Sequence, residues 1–313
     1  MLIIYALLIV MIVIWSFSFV LVDIALEFVP PMSIALNRFL IASMVFIFVD
    51  LYFFINRKKQ VDKYNKNKKK ENLRYTRKEW IYLIIASFCG ISLFYIAQYS
   101  AIELIGPSLP ALFVCLLSPV VITILALIFF KEKLTKVKIL GFAIATVGGF
   151  LLVSGGDLQI FIPTSPNFLG YLYALITPIL WAIYSIVTKR IIINKSNLKT
   201  LKYTAYFGTI ELFILVILNN ELLIFIQNFF NIYVFLTGIY LGIGCYIIGY
   251  FIWQKSQNEL KSSKGASFLY VQPFLTLLFS MLLNRTETIL LWNMVGGVIV
   301  LFAVLVINYE KNY

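Results

Sequence analysis

The sequence predicts an all-α integral membrane protein of ten transmembrane helices, arranged as two inverted five-helix repeats. Three observations carry that expectation. Of the 313 residues, 61% are hydrophobic and 13% charged, against about 45–50% and about 25% in a soluble domain. The apolar residues gather in ten runs, most of them near the roughly 20 residues that cross about 30 Å of hydrocarbon. Most Lys and Arg gather at alternate connections between those runs.

The runs are 2–22, 32–55, 80–104, 109–130 and 136–154. After a loop containing Gly, Pro and Ser come 168–188, 203–218, 232–254, 265–283 and 289–308. Each is expected to be a helix, because only helices and closed barrels satisfy the backbone within lipid, and no barrel-like alternation is present. The first run lacks the basic flank and cleavage site of a signal peptide and has the length of a full span. The seventh is the shortest.

Orientation follows from the cations. With a cytoplasmic N-terminus, 24 of the 26 Lys and Arg fall on inner segments, leaving Arg285 outside and Arg38 within a helix. This positive-inside asymmetry places both termini in the cytoplasm of a plasma-membrane protein. The Lys-rich loop 56–79 is also cytoplasmic; its stretch 63–70 is either a solvated linker or a contact with anionic lipid. The net charge of +12 therefore reports topology, and no nucleic-acid partner is implied.

The two halves share spaced residues. Pro119, Glu132 and Gly141 are answered by Pro273, Glu287 and Gly296, the glutamate preceding the glycine by nine residues in both copies. Gly90 and Gly244 each lie 29 residues before the proline, and Trp15 in the first run pairs with Trp181 in the sixth. The repeats are expected over 1–155 and 168–309. A unit of five helices is odd, so successive copies enter the membrane from opposite sides. Inverted repeats around a midplane site are a recurrent architecture of secondary transporters; a duplicated scaffold without transport is the other reading.

The stretch from Trp15 to Phe19, that from Pro30 to Arg38, the segment Pro119 to Gly149 and its second copy from Pro273 to Gly297 together resemble the EamA-like exporters of the drug/metabolite transporter superfamily. The resemblance covers nearly the whole chain. It implies an exporter of amino acids or other small metabolites, with a central cavity and peripheral fifth and tenth helices. The chain departs from the family at Asn284, Arg285 and Thr286, and in the length of its Lys-rich loop.

Helical spacing sorts polar and aromatic residues onto faces. On the sixth run Thr177, Trp181, Tyr184, Ser185 and Thr188 make one stripe; on the eighth Gly242, Tyr246, Tyr250, Trp253 and Gln257 make another. The third run offers Tyr95, Gln98 and Tyr99, with Glu103 near its outer end, and the first offers Trp15 and Ser18. Such stripes in a bilayer face protein or water, as a cavity wall or as packing, and both halves present one. Belt placement suits Trp80 and Trp292.

Pro119 and Pro273, read as mid-helix, and Pro178 each free a backbone carbonyl; the equivalence of the first two suggests hinges. Arg38 is placed either to bind a substrate carboxylate or to snorkel outward to Glu27. Glu211, in mid-span, is the candidate for proton coupling, against a structural role as a hydrogen-bonded carboxylate. Gly238/Gly242 and the Gly-Gly pairs at 148–149 and 296–297 allow close helix contact, within the fold or between protomers of a homodimer.

The absence of histidine removes imidazole metal sites and the commonest general base. Cys89, Cys115 and Cys245 stand alone in apolar stretches, suggesting neither disulfide nor metal site. No motif for an intramembrane enzyme or an ATP-binding loop is present, so no enzyme activity, metal or cofactor is expected. The expected partners are lipid and a small amphipathic substrate such as an amino acid or organic amine. A nucleotide-sugar or sugar-phosphate carrier, or a non-transporting scaffold or receptor, are the competing readings; phosphate would call for more cations than Arg38.

Overall fold

The computed structural model describes residues 2–60, 74–130, 135–157, 162–164, 167–285 and 291–308. Most of the Lys-rich loop, Glu132 and Glu287 lie outside the described residues. In chain order the long helices are α1 (Leu2–Ala25), α2 (Pro31–Gln60), α3 (Arg77–Ile105), α4 (Ser108–Phe130), α5 (Lys136–Ser154), α6 (Phe168–Ile192) and α7 (Asn197–Leu218). A short α8 (Leu222–Asn228) follows, then α9 (Ile232–Glu259), α10 (Ser262–Leu282) and α11 (Leu291–Asn308). No strand occurs among the described residues.

Eight of these helices are long and apolar enough to cross a membrane: α1, α2, α3, α4, α6, α7, α9 and α10. The expected fifth and tenth runs are the helices α5 and α11, which pack side by side; of α11, Met294–Ala303 is a shorter apolar stretch. Several helices run past the apolar boundaries. α7 begins at Asn197, six residues before the expected start, and α6 continues to Ile192. Long cationic side chains permit this, since their stems lie on apolar surface while the heads reach outward. Lys189 sits 4.9 Å above the ring of Phe130, and Arg190 sits 4.8 Å above that of Phe129.

Local chemistry sets the helix ends. α3 opens on a capping box, with Thr76 Oγ1 accepting from Glu79 N–H at 3.3 Å and Glu79 Oε2 accepting from Thr76 N–H at 2.7 Å, which satisfies two orphan donors. α5 begins with Thr135 as its cap and ends on Gly155 at φ +57°, the left-handed position that glycine fills without penalty. Within α6, Pro178 cannot donate to the carbonyl of Ala174, and the Thr177 hydroxyl takes that carbonyl instead at 2.7 Å.

Two helices depart from α geometry. α3 carries a π-helical segment over Phe88–Leu93 and α9 one over Tyr240–Tyr250. π segments widen a helix and recur at functional sites. The ninth apolar run is also irregular: α10 passes through a 3₁₀ segment, Ser267–Val271, so Pro273 stands in the first turn of Gln272–Leu282. Pro273 thus stands inside α10 at the junction of its 3₁₀ and α segments, in the first turn of the latter, where proline is better tolerated than within an unbroken α-helix. Pro119 is in the interior of α4.

The helix contacts come in exchangeable pairs. α1 packs on α9 and α10, as α6 packs on α3 and α4; α2 meets α9, as α7 meets α3; and α2–α7, α4–α10 and α5–α11 are each paired. Gly238 and Gly242 face Asn37, Ile41 and the Arg38 carbonyl of α2, and Gly148 faces Ile299 and the Gly296 carbonyl of α11. These small residues thus serve contacts within the fold. The equivalence of Gly90 with Gly244 does not extend to packing: a Cβ on Gly90 would fall 2.3 Å from Tyr184, whereas one on Gly244 would have 3.7 Å to Ile14.

Large apolar side chains cover the outside. Phe48, Phe53, Phe54, Phe230 and Leu291 are among many that stand exposed, a belt that water would not tolerate on a monomer and that a bilayer solvates.

Candidate functional site

A cavity lies where α1, α2, α3, α4, α6, α9 and α10 converge, so both halves contribute walls. Trp15, Ser18 and Phe19 enter from α1, Arg38 from α2, and Phe94, Tyr95 and Gln98 from α3 just beyond its π segment. Val114 and Cys115 come from α4, Trp181 from α6, Tyr250 from the end of the π segment of α9, and Leu269 and Gln272 from α10. As traced by the centre of a water molecule its volume is about 40 Å³, room for about three waters. A metabolite fits only after the walls part.

Trp15 is fixed by a hydrogen bond from its Nε1 to the carbonyl of Cys245 at 3.0 Å. Its ring meets Trp181 edge-on at 5.4 Å and Tyr250 at 5.7 Å, while Trp181 and Tyr250 meet edge-on at 5.2 Å. Edge-to-face pairs of this kind add about 0.5–1.5 kcal/mol each beyond area burial. The hydroxyls of Tyr95 and Tyr250 share a hydrogen bond of 2.6 Å. Arg38, 2% exposed, lies with its guanidinium 4.1 Å from the Tyr95 ring centroid and donates from Nη1 to Tyr99 Oη at 3.1 Å.

Seven of the twelve residues proposed for substrate contact on spacing therefore line one cavity: Trp15, Ser18, Arg38, Tyr95, Gln98, Trp181 and Tyr250. The other five stand behind it. Tyr99 carries Arg38; Tyr184 stacks on Trp181 at 5.3 Å and accepts from Gln254; Ser185 accepts from Trp253 Nε1 at 3.3 Å; and Tyr246 bonds Thr204 and the Leu201 carbonyl. Phe19, Phe94, Val114, Cys115, Leu269 and Gln272 were not anticipated. One signal was available: Cys115 and Leu269 each precede a repeat proline, Pro119 and Pro273, by four residues, the position whose carbonyl loses its helical donor.

Arg38 does not reach Glu27. That carboxylate accepts from Arg285 Nη1 at 2.7 Å, and Arg285 Nε donates to Asp23 Oδ2 at 2.6 Å. The snorkelling alternative for Arg38 is thus replaced by an Arg285 latch between the end of α1 and the turn after α10. Glu211 is outside the cavity, on α7. Its Oε1 accepts from Ser87 Oγ at 2.7 Å and its Oε2 from Ser92 Oγ at 2.5 Å, one serine just before the π segment of α3 and one within it. Glu103 is exposed near the end of α3. Among the described residues, no group of three His, Cys, Asp or Glu side chains is placed to hold a metal ion.

A bundle of membrane-crossing helices around a polar and aromatic cavity, with walls from both halves, has the build of a membrane transporter. The comparisons agree. The model of the EamA-like transporter family matches this chain twice, over residues 2–154 and 168–309. The chain belongs to that family. It is 23% identical over 304 residues to an uncharacterized transporter of Archaeoglobus fulgidus, covering 96% of this chain and 95% of that protein. It is 25% identical over 231 residues to the uncharacterized transporter YyaM of Bacillus subtilis, covering 73% of each. A solved crystal structure shares the fold with a TM-score of 0.66 at 18% identity, covering 97% of this chain and 96% of its own.

Proposed function

We propose that this protein is a secondary exporter of amino acids or other small metabolites that works by alternating access. The observation that carries the proposal is the cavity itself, closed by an aromatic cluster to which α1 and α3 of one half and α6 and α9 of the other all contribute. The exchangeable helix contacts support two inverted repeats, over 1–155 and 168–309, whose conformations swap to turn the cavity from one side to the other. In this reading α5 and α11 complete a ten-span bundle, and Pro119 and Pro273 are hinges. A nucleotide-sugar or sugar-phosphate substrate is disfavoured, because among the described residues Arg38 is the one cation on the cavity wall. Proteoliposomes loaded with mixed amino acids and organic acids, with efflux followed by mass spectrometry, test the proposal. Efflux of at least one solute above protein-free liposomes is expected; none would reduce the protein to a scaffold.

Sidedness is proposed as N-in and C-in, in the plasma membrane. Lys195 pairs with Glu79 and Lys202 with Asp50 at one end of the bundle, where most described cations gather, while Arg285, Asp23 and Glu27 meet at the other. In a cysteine-free background, single cysteines at Lys66 and Asn197 are expected to be protected from an impermeant thiol reagent in intact cells, and those at Asp157 and Asn228 labelled. The reverse pattern overturns the orientation.

Coupling is proposed to run through Glu211. Ionised, it accepts from both Ser87 and Ser92 and holds α7 against the π segment that precedes Phe94, Tyr95 and Gln98. Protonated, it keeps only one of its oxygens as a full acceptor, which loosens that clamp. Cys89 on α3 is the other titratable group beside it. Glu211→Gln is expected to retain substrate exchange and to lose accumulation driven by a pH gradient; wild-type flux that ignores an imposed gradient removes the coupling role.

A further inference from the structure

We infer that the cavity is an anion receptor, and that its substrate carries a carboxylate, bound by Arg38, on an apolar body. The inference rests on the reading of the cavity as the substrate site and deepens it. Arg38 is 2% exposed, yet among the described residues no carboxylate pairs with it. A guanidinium has five N–H donors, and the protein uses it for one hydrogen bond, to Tyr99. Its Nε is buried without a partner.

Carboxylates of the surrounding helices and turns are committed elsewhere. Glu27 and Asp23 hold Arg285, Glu211 holds Ser87 and Ser92, and Glu221 accepts from Ser33. The Tyr95 face at 4.1 Å compensates the charge in part, but a ring offers no hydrogen-bond acceptor of carboxylate strength. Breaking a buried ion pair leaves a costly uncompensated charge, and this structure has that arrangement with one side of the guanidinium turned to a cavity. A carboxylate from outside completes it with charge-assisted hydrogen bonds.

The rest of the wall fixes the remainder of the substrate. Among the described residues none on the wall is acidic, so a substrate ammonium finds no counter-ion there. Trp15, Trp181, Phe94 and Tyr250 offer faces and edges to an apolar body, and Gln98 offers an amide. An amino acid meets the requirement through its carboxylate; an amine does not.

The test uses purified full-length protein and two probes with the same aromatic body, 3-phenylpropionate and 3-phenylpropylamine, with binding read by calorimetry. The carboxylate is expected to bind, and the amine at least about tenfold more weakly. Arg38→Gln should weaken carboxylate binding by at least about tenfold, while Arg38→Lys, which keeps the charge but loses the planar fork, restores part of it. If Arg38→Gln fails to fold, the selectivity of the wild type and the behaviour of Arg38→Lys decide the matter. An amine that binds as tightly as the carboxylate, carboxylate binding indifferent to Arg38, or binding of neither probe overturns the inference. Amine binding that is lost in Tyr250→Ala leaves the cavity standing and removes only the anion receptor. Carboxylate binding through Arg38 in a protein that shows no flux of any solute does the opposite, sparing the receptor and removing transport.

Discussion

Gly249→Ala and Gly90→Ala are each expected to abolish transport and lower the melting temperature of the solubilised protein, while Gly244→Ala leaves both near wild type. The three sites differ in what a methyl group would meet. On Gly249 the added carbon lies 2.3 Å from Trp15 Nε1 and 3.1 Å from its Cε2. That indole cannot retreat, because its Nε1 is bonded to the Cys245 carbonyl at 3.0 Å and its ring is held by Trp181 and Tyr250. On Gly90 the carbon lies 2.3–2.4 Å from three side-chain atoms of Tyr184, which is fully buried. Overpacking of this kind costs about 1–3 kcal/mol or more, and here it displaces a wall of the cavity as well. On Gly244 the nearest atoms are 3.7 and 4.0 Å away, and alanine has the better helix propensity by up to about 1 kcal/mol. Equal behaviour of all three variants in melting and flux assays would show that the aromatic cluster is soft, and would take away its role as a rigid wall.

The contrast between Gly90 and Gly244 also marks the limit of what the residues reveal before folding. Hydropathy and the placement of cations locate the spans, because they record a solvent boundary that every residue meets alone. The meeting of Trp15 with Trp181 was legible in part, since each belongs to a polar and aromatic set on its run that lipid would not solvate. The π segments of α3 and α9 were not legible, because an i→i+5 bond uses the same residue types as an i→i+4 bond. Their extra residue shifts everything downstream by part of a turn. In α3 the residues just beyond the segment, Phe94, Tyr95 and Gln98, are the ones that reach the cavity. The Arg285 latch was hidden for another reason. Its partners are 262 and 258 residues away, and only the closure of α10 onto α1 brings them together. The residue that looked like a departure from the family, Arg285, turned out to be the one that occupies the carboxylate offered to Arg38.

Trp181→Ala is expected to reduce flux at least about a hundredfold, and Tyr250→Ala to do so by at least about tenfold. Trp181 touches the rings of Trp15, Phe94, Tyr184, Tyr250 and Trp253 at centroid distances of 5.2 to 5.5 Å and is 4% exposed. It is both cavity wall and packing hub, so alanine removes the contact that the proposed function assigns it with substrate and leaves a void; Trp→Ala at buried sites costs about 3–5 kcal/mol. The two effects must be separated. Trp181→Phe keeps an aromatic edge for the substrate and most of the packing, and is expected to restore the melting temperature largely and flux in part. Tyr250→Phe keeps the ring but deletes the hydroxyl that bonds Tyr95 at 2.6 Å. Losing one partner of a buried hydrogen bond costs about 1–3 kcal/mol. Because Tyr95 is the ring that carries Arg38, this variant should impair flux more than Trp181→Phe does, despite the smaller change in volume. The measurement is initial efflux from proteoliposomes normalised to folded protein, with melting temperatures recorded for the same preparations. Flux that follows the melting temperature across all four variants would return these residues to packing. Flux that falls in Tyr250→Phe while the fold persists ties the hydroxyl pair, and the guanidinium it positions, to the passage of the substrate.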